Sequence, residues 1–325
     1  MTGAGTGRGP AASAPARPVG GLAAVVVAAA VWGTTGTATH FAPGVPAFVF
    51  GAVTFGIGGL VLAAVAGRGT VRAIAQRATR GWVLLGAGSL VVYAIAFYAA
   101  LADAGVALGT TIAIGSSPVF AGLVEWAADG RRVTPRWVVA TLVSVVGMVV
   151  VTLARSDGPG PDGPLVLGLA SALLAGLTYA LYSWAVARGM QAAVVSVPGG
   201  PGTEIAARTQ PGGRGVVGAV FGLAALPLVV LAVVGGHQFL GVAAHWPVFL
   251  YLALVPTVLG HSLYAVGLRT VSASVATLLS LFEPVVAAVL AVLVVGEHLG
   301  VVGWAGIALV VAGLALLAVP GRTRG

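Results

Sequence analysis

From Gly20 to Pro320 this chain is a succession of long apolar segments joined by short connections, and nearly every arginine lies in a connection. A helix of about 20 apolar residues is enough to cross the core of a bilayer. Repeated along the whole chain, the pattern predicts an all-α integral membrane protein with its polar chemistry confined to the spaces between helices. Charged residues are only 7% of the 325, against about 25% in soluble domains. That little charge cannot cover a water-exposed surface, so lipid has to be the solvent for most of it.

The hydropathy pattern predicts ten transmembrane helices, at about 20–39, 45–66, 81–101, 106–127, 136–154, 164–186, 215–234, 247–268, 272–294 and 299–319. Arginine placement tests that count. With the N-terminus in the cytoplasm, the inner connections hold Arg8, Arg17, Arg68, Arg72, Arg77, Arg80, Arg131, Arg132, Arg136, Arg188, Arg208, Arg214, Arg269, Arg322 and Arg324, and the outer ones hold Arg155 alone. Positive charge concentrates on the cytoplasmic side of membrane proteins. The expectation is therefore a multi-pass protein of the cell (plasma or inner) membrane with both termini cytoplasmic. The net charge of +8 does not suggest nucleic acid, because the chain has no lysine and no basic stripe interleaved with aromatics. The absence of cysteine excludes disulfides, thiolate metal sites and cysteine nucleophiles.

Residues 1–19 read as a disordered cytoplasmic tail, 20–155 as a first five-helix unit, 156–163 as a connecting loop, 164–320 as a second unit with a flexible Pro/Gly-rich loop at 187–214, and 321–325 as a C-terminal tail. The two units repeat at an offset of 166. Tyr98, Thr111 and Pro118 recur as Tyr264, Thr277 and Pro284, and Gly130 and Gly147 as Gly296 and Gly313. Five spans is an odd number, so the two copies are inverted relative to each other. That is a recurring transporter architecture, with the substrate site near the midplane between the halves.

The stretch Leu281-Phe282-Glu283-Pro284-Val285, followed by Gly296-Glu297 and the glycine-spaced Gly303-Trp304-Ala305-Gly306 … Gly313, resembles the ninth and tenth helices of the drug/metabolite transporter superfamily, in particular its ten-helix EamA-type members. Trp32-Gly33 resembles that family's first helix. The resemblance covers about Gly20 to Pro320, so each five-helix unit corresponds to one EamA-like domain. The first half departs from the pattern: Ser116-Ser117-Pro118 stands in place of Glu-Pro, and Asp129-Gly130 in place of Gly-Glu. The resemblance implies a secondary active transporter, not an enzyme, that exports a small metabolite or amino acid by alternating access, with proton coupling as one energy source. No Walker motif exists without lysine, and no cofactor is expected. The expected partners are a small-molecule substrate and the lipid bilayer. A homodimer is compatible with the sequence. The rival readings are an integral-membrane enzyme acting on a lipid-linked substrate and a non-transporting sensor or scaffold; flux in proteoliposomes separates them.

Polar groups within spans are expensive and are functional candidates by default. Glu283 stands first, as a proton-coupling or amine-binding carboxylate or as a structural acid at a proline kink. Pro118 and Pro284 are the expected helix breaks. His261 and Tyr264, three apart, share a face; histidine titrates near neutral pH, though a hydrogen-bonded packing role is equally open. Trp32, Tyr98 and Tyr179 are expected to line a cavity, with Tyr93, Phe97, Tyr182, Thr111 and Ser117 as further candidates, and Trp184 as either a cavity residue or part of the interfacial belt. Glu125 reads as an interfacial acid near Arg131 or Arg132. Trp82, Trp126, Trp137, Trp184 and Trp246 read as the interfacial belt. No histidine pair has metal-ligand spacing, so no metal is expected.

Overall fold

The computed structural model describes residues 18–154, 164–195, 212–296 and 298–318. Those residues form helices and short connections, with no strand among them. The spans are α1 (Gly20–His40), α2 (Ala47–Ala66), α3 (Arg77–Ala104), α4 (Val106–Asp129), α5 (Pro135–Leu153), α6 (Leu165–Val194), α7 (Gly213–Leu240), α8 (Ala243–Leu268), α9 (Ala273–Val295) and a shorter α10 (Val301–Leu317). Chain alternation places every arginine among the described residues at one end of the bundle. The expectations for residues 1–17, 155–163, 196–211 and 319–325 fall outside the described residues.

Several boundaries differ from the sequence reading. Residues 68–75, which read as loop, form a short helix, Arg68–Ala75, that buries Ala73 and exposes Arg68 and Arg72. Residues 187–195, which read as the start of a flexible loop, continue α6, since Ala187 and Met190 are buried against neighbouring helices. Hydropathy reports lipid contact and misses helix that extends past the membrane edge.

The packing shows the inverted repeat directly. Helix α2 packs along α7, and α5 along α10; α3 packs along α6 as α8 packs along α1. The glycines give the symmetry at atomic level. A Cβ built on Gly147 of α5 would lie 2.6 Å from the Val310 nitrogen and 2.7 Å from the Gly306 carbonyl of α10. A Cβ on Gly313 of α10 would lie 2.9 Å from the Ser144 nitrogen and 2.8 Å from the Ala140 carbonyl of α5. Each contact maps onto the other through the 166-residue offset. The α2–α7 pair behaves the same way, with Gly56 against Val229 and Gly222 against Ala63. Lipid tails are as apolar as the helices, so close van der Waals approach between small residues supplies much of the adhesion. Gly130 and Gly296, also offset by 166, end α4 and α9 with φ of 65° and 82°, a region that side chains with a Cβ avoid.

Span α4 runs unbroken through Pro118, against the expected break. Proline has no N–H for the Ile114 carbonyl four residues back. The Ser117 hydroxyl donates to that carbonyl at 2.8 Å and heals the ladder. In α9 the helix does part, into Ala273–Leu279 and Phe282–Leu290, with Ser280 and Leu281 between them. There the Glu283 backbone N–H serves the Ser280 carbonyl, 2.9 Å away, that Pro284 leaves free.

The α5–α10 contact yields a prediction. Gly147→Val should lower the thermal stability of the purified protein in detergent by about 1–3 kcal/mol, through overpacking against backbone. Gly81→Val, at a position with no atom within 4 Å of its Cβ, should leave the melting temperature unchanged.

Candidate functional site

The middle of the bundle is built around a second backbone irregularity. Residues Ala253–Gly260 of α8 wind as π-helical turns around Pro256, a feature that sequence inspection missed and that is frequent at functional sites. The Thr257 hydroxyl donates to the Leu252 carbonyl, at 3.2 Å, the acceptor that Pro256 cannot serve. The Pro256 carbonyl also accepts from the Trp32 indole of α1 at 2.9 Å. The same turn sets His261, whose Nδ1–H donates to the Thr257 carbonyl at 3.1 Å. A proline thus fixes both a tryptophan from one half and a histidine from the other.

Aromatic rings continue outward from this point. The Trp32 ring lies 4.8 Å from His261 and 5.2 Å from Tyr264. Tyr264 exchanges a 3.0 Å hydrogen bond with Ser183 of α6 and lies 6.2 Å from Tyr179. Tyr179 lies 5.4 Å from Tyr93, which stacks on Phe97 at 5.6 Å, with Tyr98 beyond it. Tyr98 packs over Gly51 of α2. The buried side is closed by Tyr182, by Phe221 of α7 at 4.7 Å from His261, and by Phe55 of α2 at 5.9 Å. Phe55 and Phe221 were not singled out from sequence. Their separation equals the repeat offset, which was the available signal.

Glu283 stands at the start of the second segment of α9, half-buried, with its backbone carbonyl against Gly33, next to Trp32. Among the described residues its carboxylate has no hydrogen-bond or ion-pair partner. Its first-half counterpart at the 166 offset is Ser117, which is fully buried and committed to the Ile114 carbonyl. Thr111 is likewise committed, to the Ala107 carbonyl and to Thr152 of α5. Trp32, Tyr98, Tyr179, His261, Tyr264 and Glu283 therefore share one region, whereas Thr111 and Ser117 serve helix backbone and α4–α5 packing.

The two ends of the bundle differ. At the arginine-rich end, Glu125 is 5% exposed and bonded to α9. Its oxygens accept from the Ala273 backbone N–H at 2.8 Å and from the Ser274 hydroxyl. The expected partners Arg131 and Arg132 are not its ligands; one heptad after Pro118, Glu125 faces the bundle and not the interface. Trp137 and Trp184, expected in the belt, are also turned inward. Trp137 donates to the Ser274 carbonyl at 3.1 Å. Trp184 and Arg188 both donate to the Asp129 carboxylate. At the opposite end a cleft of about 420 Å³ lies among α1, α8 and α9, lined by Thr34, Thr37, Ala38, Phe41, Pro247, Val248, Tyr251 and Leu290. Leu290 is seven residues after Glu283, on the same helical face.

Comparison with known proteins follows the fold. The EamA-like transporter family matches residues 19–153 and 214–319. The uncharacterized transporter YwfM of Bacillus subtilis (strain 168) is 32% identical over 307 residues, covering 92% of this chain and 94% of that protein. The aromatic amino acid exporter YddG of Ancylobacter novellus is 31% identical over 159 residues, 49% of this chain and 55% of that protein. A solved crystal structure superposes with a TM-score of 0.74 at 23% identity, covering 93% of this chain and 97% of the other.

Thr257→Val keeps the side-chain shape but strips the hydroxyl from the buried Leu252 carbonyl. It should cost about 0.5–1.5 kcal/mol of stability, read as a lowered unfolding temperature in detergent, and Thr257→Ser should restore most of it.

Proposed function

The chain belongs to the EamA-like transporter family of the drug/metabolite transporter superfamily, and from that premise we propose that this multi-pass membrane transporter exports a small metabolite or amino acid by alternating access, coupled to protons at Glu283. The observation that carries the reading is the state of that side chain. It is the acidic residue at mid-span among those described, it has no partner there, and it sits at the discontinuity of α9 with its backbone against Gly33, next to Trp32. Intramembrane carboxylates commonly mark proton relays and substrate pathways. A carboxylate without a permanent partner is free to hold either a proton or a substrate ammonium, one at a time. That exclusion is the physical basis of exchange.

The surrounding rings suit an amine with a flat or apolar body, since aromatic faces attract cations and stack on planar groups. The name of the Ancylobacter relative, an aromatic amino acid exporter, points the same way. In this reading Trp32, Tyr98, Tyr179, His261 and Tyr264 form the walls. The arginine-rich end faces the cytoplasm of a cell whose inner membrane holds the protein, and both chain termini lie on that side. The cleft lined by Thr34, Thr37 and Tyr251 then opens to the exterior, which is the release side for an exporter.

Proteoliposomes provide the test. The wild-type protein should accumulate a labelled aromatic amino acid against its gradient when a pH gradient is imposed. Glu283→Gln should abolish gradient-driven accumulation and leave exchange of labelled for unlabelled substrate intact. Loss of both, or of neither, would remove Glu283 from the coupling role.

A further inference from the structure

Glu125 has no role in the reading above, yet it is a buried carboxylate that joins the two halves. We infer that it is the latch of the arginine-rich gate: its bonds to α9 hold the transporter closed at that end, and they must break for the site to open there. The inference rests on the alternating-access reading and adds the residue that controls one of its two gates.

Three observations lead to it. First, both carboxylate oxygens are used, and both donors, the Ala273 N–H and the Ser274 hydroxyl, belong to the other half. Hydrogen bonds to an ionised carboxylate are roughly twice as strong as neutral ones, and no cation competes for Glu125 among the described residues. Second, the contact lies where the halves meet. Helix α4 packs on the Ala273–Leu279 segment of α9, whereas the later Phe282–Leu290 segment leans instead on α1. Gly33 of α1 is so close that a Cβ there would lie 2.7 Å from the Glu283 carbonyl. The α4–α9 seam is therefore shut at the arginine-rich end, while the cleft near Thr34 and Tyr251 lies at the other. Third, the latch leads to the site. The segment that Glu125 grips runs within seven residues to the break before Glu283. A shift of that segment reaches the break.

The repeat sharpens the argument. The position equivalent to Glu125 at the 166 offset is Ala291, so the repeat supplies no matching carboxylate at the equivalent point of the opposite end. The Glu125 latch is thus a feature of the arginine-rich gate alone among repeat-related positions.

The native chain has no cysteine, so Ser280→Cys, at a buried position in the α9 break, introduces a single thiol. Membrane vesicles with the arginine-rich face outward, and vesicles of the opposite orientation, would be treated with a membrane-impermeant maleimide. In the Ser280→Cys background, labelling from the arginine-rich face should be slow. Adding Glu125→Gln or Ser274→Ala should speed it by about tenfold, the population shift expected from losing one charge-assisted bond, while labelling from the opposite face falls. Unchanged labelling, or a rise from both faces, would overturn the latch. Where Glu125→Gln does not fold, Ser274→Ala decides, because it removes one donor and leaves the carboxylate in place. The readout needs no substrate. A wrong cargo or a wrong role for Glu283 would thus leave this result standing, and failure of the latch would leave the Glu283 result standing.

Discussion

In the hydrocarbon core there is no water to accept or donate a hydrogen bond, so every backbone N–H and C=O must find its partner within the protein. This constraint makes the chain helical, and at three of the prolines within spans it shows as a local problem with a specific solution. At Pro118 the preceding serine hydroxyl serves the orphaned carbonyl and the helix runs straight on. At Pro256 the following threonine does so, and the backbone widens into π turns that offer a carbonyl to Trp32. At Pro284 the helix parts, and the Glu283 backbone N–H takes over. Two of the irregular stretches, around Pro256 and at Pro284, carry the candidate chemistry. Irregular backbone in a membrane survives where it is buried in protein or lines a cavity.

A symmetric scaffold carries asymmetric chemistry. The α5–α10 and α2–α7 contacts exchange residue for residue under the repeat offset, so the halves are closely matched as bodies. The polar residues break that match. Glu283 faces Ser117 across the offset, and Glu125 faces Ala291. The scaffold is thus matched as two bodies, and its acids are not.

Many of the interhelical contacts are between small residues, which suits an assembly that has no hydrophobic drive between helices in lipid. Glycine seams such as Gly147 on Gly306 and Val310 are tight but carry no charge. The strong polar contacts, Glu125 on α9 and Asp129 on Arg188 and Trp184, cluster at the arginine-rich end.

Span number, helical class, the inverted repeat and the arginine-rich end were written in the sequence, because hydrophobic length, charge placement and an odd number of spans per copy are properties of the chain itself. So were the aromatic and acidic candidates, since a polar group is conspicuous in an apolar span. What became of each candidate was decided in three dimensions. Pro118 and Pro227 both lie inside continuous helices, one with a serine hydroxyl on the freed carbonyl and one without, whereas Pro284 stands at a break, so the proline alone does not foretell the outcome. Glu125, Trp137 and Trp184 were read as interfacial because they lie near span ends; packing turned them inward to bond another helix. Phe55 and Phe221 joined the aromatic group through contacts between α2, α7 and α8 that no local pattern encodes. The chain alone fixed which residues cannot rest in lipid. The tertiary fold settled which of them found a partner, and left Glu283 without one among the described residues, because partners in a membrane come from other helices.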